Sequence, residues 1–132
     1  MKLTEKLDDE VLRGFLAGAL FTGVDSDENS LDSMFNIKDF DKESLRKATK
    51  IVSEFLSTLG TDPDVIIDTV IGQEYEDLGI DLWMTMTGQG SGFWDGDWKD
   101  FGDELDFVAK KVQKKYRIEG ATTFDGDKVE IF

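Results

Sequence analysis

Side chains alternate between two faces over residues 80–87, a period of two that is typical of a half-buried β-strand. One face consists of Ile80, Leu82, Met84 and Met86, and the other of Asp81, Trp83, Thr85 and Thr87. Three glycines that permit the positive φ angles of a tight reversal follow this run: Gly88, Gly90 and Gly92. Phe93 and Trp94 can then return antiparallel and pair with the first arm. The pattern predicts a β-hairpin whose strands occupy residues 79–87 and 92–95.

Other stretches carry apolar residues at spacings of three and four, which indicate amphipathic helices. They predict helices over about residues 6–21, 42–59 and 101–116. A shorter helix is predicted to begin at Pro63, with Asp62 as its N-cap. The apolar stripe of the first helix consists of Leu7, Val11, Leu12, Phe15, Leu16, Ala19 and Leu20.

Two glycines interrupt the first predicted helix on adjacent turns, Gly14 and Gly18. Each weakens an isolated helix by about 1 kcal/mol relative to alanine. A glycine face also allows a second element to approach the backbone closely. We therefore expect this helix to depend on tertiary packing.

The C-terminal residues predict two more strands, at 121–124 and 128–132, on either side of an Asp-Gly-Asp turn at 125–127. Residues 23–40 show no sustained period, and a loop of this length is either functional or partly disordered. The predicted fold class is α+β, with three to four helices packed on a small antiparallel sheet of about four strands. All 132 residues are expected to form a single acidic domain.

Composition excludes several kinds of chemistry. The chain has neither cysteine nor histidine, so disulfides, thiolate nucleophiles and the commonest general base and zinc ligand are absent. Its longest apolar run lies near residues 15–21 and is too short for a membrane span or a signal peptide, which predicts a cytoplasmic protein. No cofactor, metal ion or catalytic residue is predicted, and the chain is not expected to be an enzyme.

The net charge of −14 is unevenly distributed. Residues 1–109 carry 25 acidic and 9 basic side chains, a balance of −16, whereas residues 110–132 carry 4 and 6. Such a field repels nucleic acid and anionic membranes. It favours either a plainly solvated surface or binding to a basic protein. The lysines at residues 110–115 either complement a helix dipole or form an anion-binding patch.

Candidate partner-binding residues fall into two acidic groups and one aromatic pair. The first group lies in the long loop and consists of Asp25, Asp27, Glu28 and Asp32. The second group follows the predicted hairpin and consists of Asp95, Asp97 and Asp100. The aromatic pair is Trp94 and Trp98. An alternative use of the second group is a divalent-ion site in an enzyme or a ligand-binding protein, because hard cations need only oxygen ligands.

The predicted hairpin resembles the signature of a family of small, mostly uncharacterised proteins of tailed bacteriophages. The residues that carry the resemblance are Gly79, Asp81, Trp83, Thr85, Gly88, Gly90, Gly92, Phe93, Trp94 and Asp95. A looser likeness extends over the first and last helices and the turn at 125–128. Family members often have histidine at the positions of Ile80 and Gln89, and an arginine-asparagine pair at Met86 and Thr87.

The resemblance implies a phage origin and a fold signature, without implying a mechanism. Together with the charge it favours an accessory protein that acts in the cytoplasm of the host cell. Such a protein would bind, and inhibit, a basic or nucleic-acid-binding protein of the host, or a phage protein, through an acidic surface that imitates nucleic acid. Direct binding to nucleic acid or to a membrane is not expected.

Overall fold

Two helices that run in the same direction form the centre of the structure, α1 (Lys2–Thr22) and α4 (Tyr75–Thr87). The structure is a computed structural model that describes the backbone of residues 2–132 and the side chains of residues 8–132. The side chain of Leu7, placed above in the first apolar stripe, lies outside the described residues. The remainder of that stripe is mostly buried, which confirms its orientation.

Glycines allow α1 and α4 to touch backbone to backbone. A Cβ atom added at Gly14 would collide with the carbonyl oxygen of Glu76 and lie 2.7 Å from its carbonyl carbon. One added at Gly79 would collide with the carbonyl oxygen of Val11 and lie 2.5 Å from the amide nitrogen of Phe15. The predicted close approach to the first helix is confirmed at Gly14.

The predicted α+β class with a four-stranded sheet is wrong. Within residues 2–132 the structure has five α-helices and a sheet of only two strands. The first arm of the predicted hairpin, 79–87, belongs to helix α4. The second arm, 92–95, contains a single 3-10 turn at Phe93–Asp95.

The error has a physical cause, because a short apolar run fits both periods. Leu78, Leu82 and Met86 recur every four residues and are buried on one face of α4. The helix is started by the Asp77 carboxylate, which accepts a hydrogen bond of 2.8 Å from the amide of Glu74. It ends at Gly88 in the left-handed conformation, so this glycine caps a helix and does not turn a hairpin.

Three further helices cover the central pair. They are α2 (Lys42–Thr58), α3 (Pro63–Thr69) and α5 (Gly102–Tyr116), and their positions confirm the predicted helices. Glu104 of α5 links these helices, because its carboxylate accepts hydrogen bonds from the amides of Gly60 and Thr61. Those bonds hold the connection between α2 and α3 against α5.

The C-terminal strands are shorter than predicted. β1 (Ala121–Thr122) and β2 (Glu130–Ile131) pair antiparallel, with Ala121 opposite Ile131. The amide of Ile131 donates a hydrogen bond of 2.8 Å to the buried hydroxyl of Ser44, which attaches β2 to α2. The predicted strands at 121–124 and 128–132 are therefore confirmed only at residues 121–122 and 130–131.

The long segment 23–40 is ordered by two short 3-10 turns, Leu31–Ser33 and Ile37–Asp39. Leu31 is buried against α1, and the amide of Leu31 donates a hydrogen bond of 3.0 Å to the carbonyl oxygen of Gly23. This segment therefore packs on the end of α1 and brings its acidic residues to that side of the molecule.

Candidate functional site

The residues of the glycine and tryptophan signature are mainly structural. Trp83 is fully buried beside α1, where its ring meets Phe15 edge to face at 5.2 Å. Its indole nitrogen donates a hydrogen bond of 2.8 Å to the hydroxyl of Thr22. A Cβ atom at Gly18 would lie 3.1 Å from the Cβ of Trp83, which is a tight contact, so glycine at this position gives the indole room.

The segment after α4 folds back onto that helix through Thr85. Its hydroxyl accepts a hydrogen bond of 3.0 Å from the amide of Phe93, and a Cβ atom at Gly92 would collide with it. Phe93 is fully buried and stacks on Phe55 of α2, with ring centroids 5.7 Å apart. The second arm of the predicted hairpin is therefore not a strand, and its Phe93 packs in the core between helices.

Trp98 attaches the end of the same segment to α4. It is 0% exposed, and its indole nitrogen donates a hydrogen bond of 2.6 Å to Oδ2 of Asp81 on α4. The placement of Trp98 on a partner-binding surface is therefore wrong, because its side chain is fully inside the core. Its long-range bond with Asp81 is a feature that sequence reasoning missed.

Asp81 is a half-buried acidic residue of α4. Burial raises the pKa of this carboxyl from its ordinary 3.8 to about 6. The hydrogen bond from Trp98 acts in the opposite direction, whereas the charges of Asp95, Asp77 and Asp97 raise the pKa further. We call Asp77, Asp81, Asp95 and Asp97 the acidic band.

The raised pKa predicts how Asp81 affects stability. The folded state favours protonated Asp81 over the ionised form. The resulting contribution to the free energy of unfolding is fully present below about pH 4 and is lost as the pH rises to about 6. We expect a carboxyl carbon titration by NMR with a midpoint near pH 6. The free energy of unfolding of Asp81→Asn, measured relative to the native protein, should rise over the same interval. A midpoint near the ordinary aspartate pKa, with no such rise, would contradict this assignment.

Trp94 stands apart from the rest of the signature. It is 65% exposed, whereas Trp83 and Trp98 are each 0% exposed. It lies in the same 3-10 turn as Phe93 and Asp95, and that turn is held by the buried Phe93. The fold thus presents an indole to solvent from a fixed backbone, next to the acidic band.

The acidic residues around Trp94 behave as surface groups. Asp97 and Asp100 are exposed, and Oδ1 of Asp95 accepts a hydrogen bond of 3.0 Å from the amide of Asp97. Within the part of the chain that the structure describes, no group of three or more acidic side chains is arranged to hold a metal ion. The divalent-ion alternative for Asp95, Asp97 and Asp100 thus has no preformed site to support it.

The first acidic group divides between a structural and a surface role. Oδ1 of Asp25 accepts hydrogen bonds from the amides of Asp27 and Asn29, which lowers the pKa of this carboxyl and stabilises the turn. Asp27 and Glu28 are exposed at the tip. The fourth member, Asp32, lies further along the segment, at the edge of a groove between α1 and α4.

Further acidic side chains gather where α1, α3 and α4 meet. The hydroxyl of Tyr75 is hydrogen bonded to the carboxylate of Asp64. This bond, burial and the charges of Asp64, Asp68 and Glu10 raise the pKa of Tyr75 to about 12. Because Tyr75 begins α4, negative charge extends along that helix from its first residue to the acidic band.

The lysines of α5 are partly engaged in ion pairs. Lys110 pairs with Asp106 at 2.8 Å within the helix, and Lys115 pairs with Glu54 of α2 at 2.8 Å. These pairs and the helix dipole account for part of the basic cluster. The structure therefore favours dipole and ion-pair complementation for these two lysines over an anion site.

Across residues 2–132, each helix is either too short or too polar to cross a lipid bilayer. Comparison of the chain with family models, with curated proteins and with solved structures gives no match.

Proposed function

We propose that this protein is a phage accessory protein that binds a basic, nucleic-acid-binding protein in the host cytoplasm and inhibits it. The phage origin rests on the signature resemblance described above. The mode of action rests on the net charge of −14 and on the exposed Trp94 beside the acidic band. The acidic surface would occupy a site that otherwise receives the phosphates of nucleic acid.

The exposure of Trp94 is the observation that carries this proposal. Burial of an indole at an interface removes a large apolar surface from water. Tryptophan is enriched among the interface residues whose truncation weakens a complex by about 2 kcal/mol or more. A rigid backbone lowers the entropic cost of binding, because the anchor residue is already ordered in the free protein. Trp94 has both properties, because the adjacent Phe93 is fixed in the core.

The surrounding charges would supply speed and selectivity. Attraction between an acidic face and a basic partner raises the association rate and weakens as salt screens it. Asp95, Asp97 and Asp100 all follow the anchor Trp94 within six residues of the chain, and Asp97 and Asp100 are exposed. We therefore expect binding that is strong at low ionic strength and has a steep dependence on salt.

Capture from bacterial lysate tests the role of these charges. At an ionic strength of about 0.05 M, the native protein should retain a specific basic protein. The triple variant Asp95→Asn, Asp97→Asn and Asp100→Asn should bind it about tenfold more weakly, because three charge pairs of about 0.5 kcal/mol each are lost. Nucleic acid added to the complex should compete for the captured protein.

The matched control changes three exposed acidic residues elsewhere, as Glu43→Gln, Glu119→Gln and Asp127→Asn. It alters the net charge by the same amount, so it separates a specific face from general acidity. We expect it to bind like the native protein. Equal weakening in the two triple variants, or no specific capture by the native protein, would contradict the proposed function.

A further inference from the structure

A groove of about 360 Å³ runs between α1 and α4. Its lining consists of Ala17, Gly18, Phe21, Asp32, Ile80 and Met84. Asp32 is the one charged residue among them. Phe21 is 70% exposed and contributes an aromatic ring to this lining.

The lining favours an apolar side chain over a small polar ligand. Sites for small molecules combine an apolar wall with several converging polar groups that fix orientation. Here the walls are aliphatic, aromatic or thioether groups from Ala17, Phe21, Ile80 and Met84. A single carboxylate at the edge cannot orient a polar metabolite, whereas it can attract a cation on a neighbouring side chain.

Helix geometry places the acidic band along the other edge of this groove. In α4, successive residues turn by 100°, so Asp77 and Asp81 lie beside Ile80 and Met84 on the side remote from α1. The hydrogen bond of 2.6 Å from Trp98 to Asp81 brings the preceding residue, Asp97, to this part of α4, and Asp95 accepts a hydrogen bond of 3.0 Å from the amide of Asp97. The groove thus has Asp32 on its α1 side and the acidic band on its α4 side.

We propose that this groove receives the apolar side chains of a cationic amphipathic helix in the partner protein. Such a helix carries apolar residues three and four apart with lysine or arginine on both flanks, which complements an apolar floor between two acidic edges. This inference rests on the proposed function and names the chemistry of its partner. The two-residue strands of the only sheet within residues 2–132 leave little edge for strand addition.

A synthetic peptide of leucine and lysine serves as the probe, about 18 residues long with leucines on one helical face. A peptide of the same composition in scrambled order, without that face, is its control. The protein is labelled with ¹³C at the methionine methyl groups. Met84 lines the groove, whereas Met86 is buried in the core and Met34 is exposed on the 23–40 segment.

The amphipathic peptide should shift the Met84 methyl resonance saturably and leave those of Met34 and Met86 in place. The scrambled peptide should bind at least about tenfold more weakly, because it lacks an apolar face. Ile80→Gln should weaken the amphipathic peptide by a similar factor. Its matched control is Ile71→Gln, at an isoleucine that is 96% exposed and outside the groove, and it should have no effect.

The outcomes separate this inference from the proposed function. Salt-sensitive binding of both peptides without a shift of the Met84 resonance would contradict binding in the groove. It would remain consistent with binding of a basic partner to the acidic surface. A Met84 shift that grows with protein concentration alone would indicate that a second copy of the chain occupies the groove, and would also overturn the inference. If neither peptide binds at low salt, the inference about the groove fails, whereas the proposed function is judged by the capture of a basic protein from lysate.

Discussion

Replacement of Gly79 by alanine is expected to destabilise the protein by about 3 kcal/mol. The added methyl group would collide with the carbonyl oxygen of Val11 and crowd the amide of Phe15, and these backbone atoms cannot move without parting the two central helices. Alanine favours an isolated helix over glycine by about 1 kcal/mol. A loss of stability would therefore report the close approach directly, since propensity alone predicts a gain.

The measurement is the free energy of unfolding in denaturant, compared with that of Gly60→Ala. At Gly60 the nearest atom to an added Cβ is Oε2 of Glu104, at 3.2 Å on a flexible side chain. We expect the control to change stability by less than about 1 kcal/mol. A stabilised Gly79→Ala variant would contradict the packing of α4 on α1.

The three tryptophans should respond very differently to truncation. Trp98→Ala is expected to cost about 3 to 5 kcal/mol, because it empties a fully buried site and leaves Asp81 without its hydrogen-bond donor. A loss of that size is a large part of the total stability of a domain, about 5 to 15 kcal/mol. Trp94→Ala should stay within about 0.5 kcal/mol of the native protein, because Trp94 is exposed.

Thermal and denaturant unfolding of both variants test this difference. Trp98→Phe provides a milder control that keeps an aromatic ring against Phe93, whose centroid lies 5.8 Å from that of Trp98. It should lose less stability than Trp98→Ala. Strong destabilisation by Trp94→Ala would show that the exposed indole belongs to the scaffold, and would remove the reason to regard it as an anchor.

Much of the helical structure is predictable from the sequence. Helices α2 and α3 begin at recognisable caps, such as Asp41, whose carboxylate accepts a hydrogen bond of 2.8 Å from the amide of Ser44. The apolar stripes of α2 and α5 are long enough for a period of 3.6 to be distinguished from a period of two, whereas α3 is indicated by Asp62 and Pro63 at its start. Helix α4 is not predictable in the same way, because its 13 residues include a run that fits both periods.

The partner that decides the structure of α4 is distant in the chain. Gly14 and Gly79 are separated by 65 positions, and their close packing is visible only in three dimensions. A signal was present in the sequence, because the glycines of α1 predicted that some element would approach. What could not be read was that the approaching element was another helix that carries its own glycine.

The candidate site was predictable only in part. Acidic composition and the aromatic residues directed attention to residues 94–100, and Trp94 with its neighbouring acids does lie on the surface. Sequence alone could not distinguish Trp94 from Trp98, because burial depends on which side of the returning segment faces α4. The acidic band was also hidden, since it combines one turn of α4 with a segment that follows Gly88.

The most direct test of the account is the dissociation constant of the captured host protein for native protein and for Trp94→Ala, measured by calorimetry at two salt concentrations. We predict that Trp94→Ala binds at least about tenfold more weakly at both concentrations while it unfolds like the native protein. Both proteins should lose affinity as salt increases. Equal affinities for the two proteins would show that the exposed indole does not form the binding face, and would contradict the central claim.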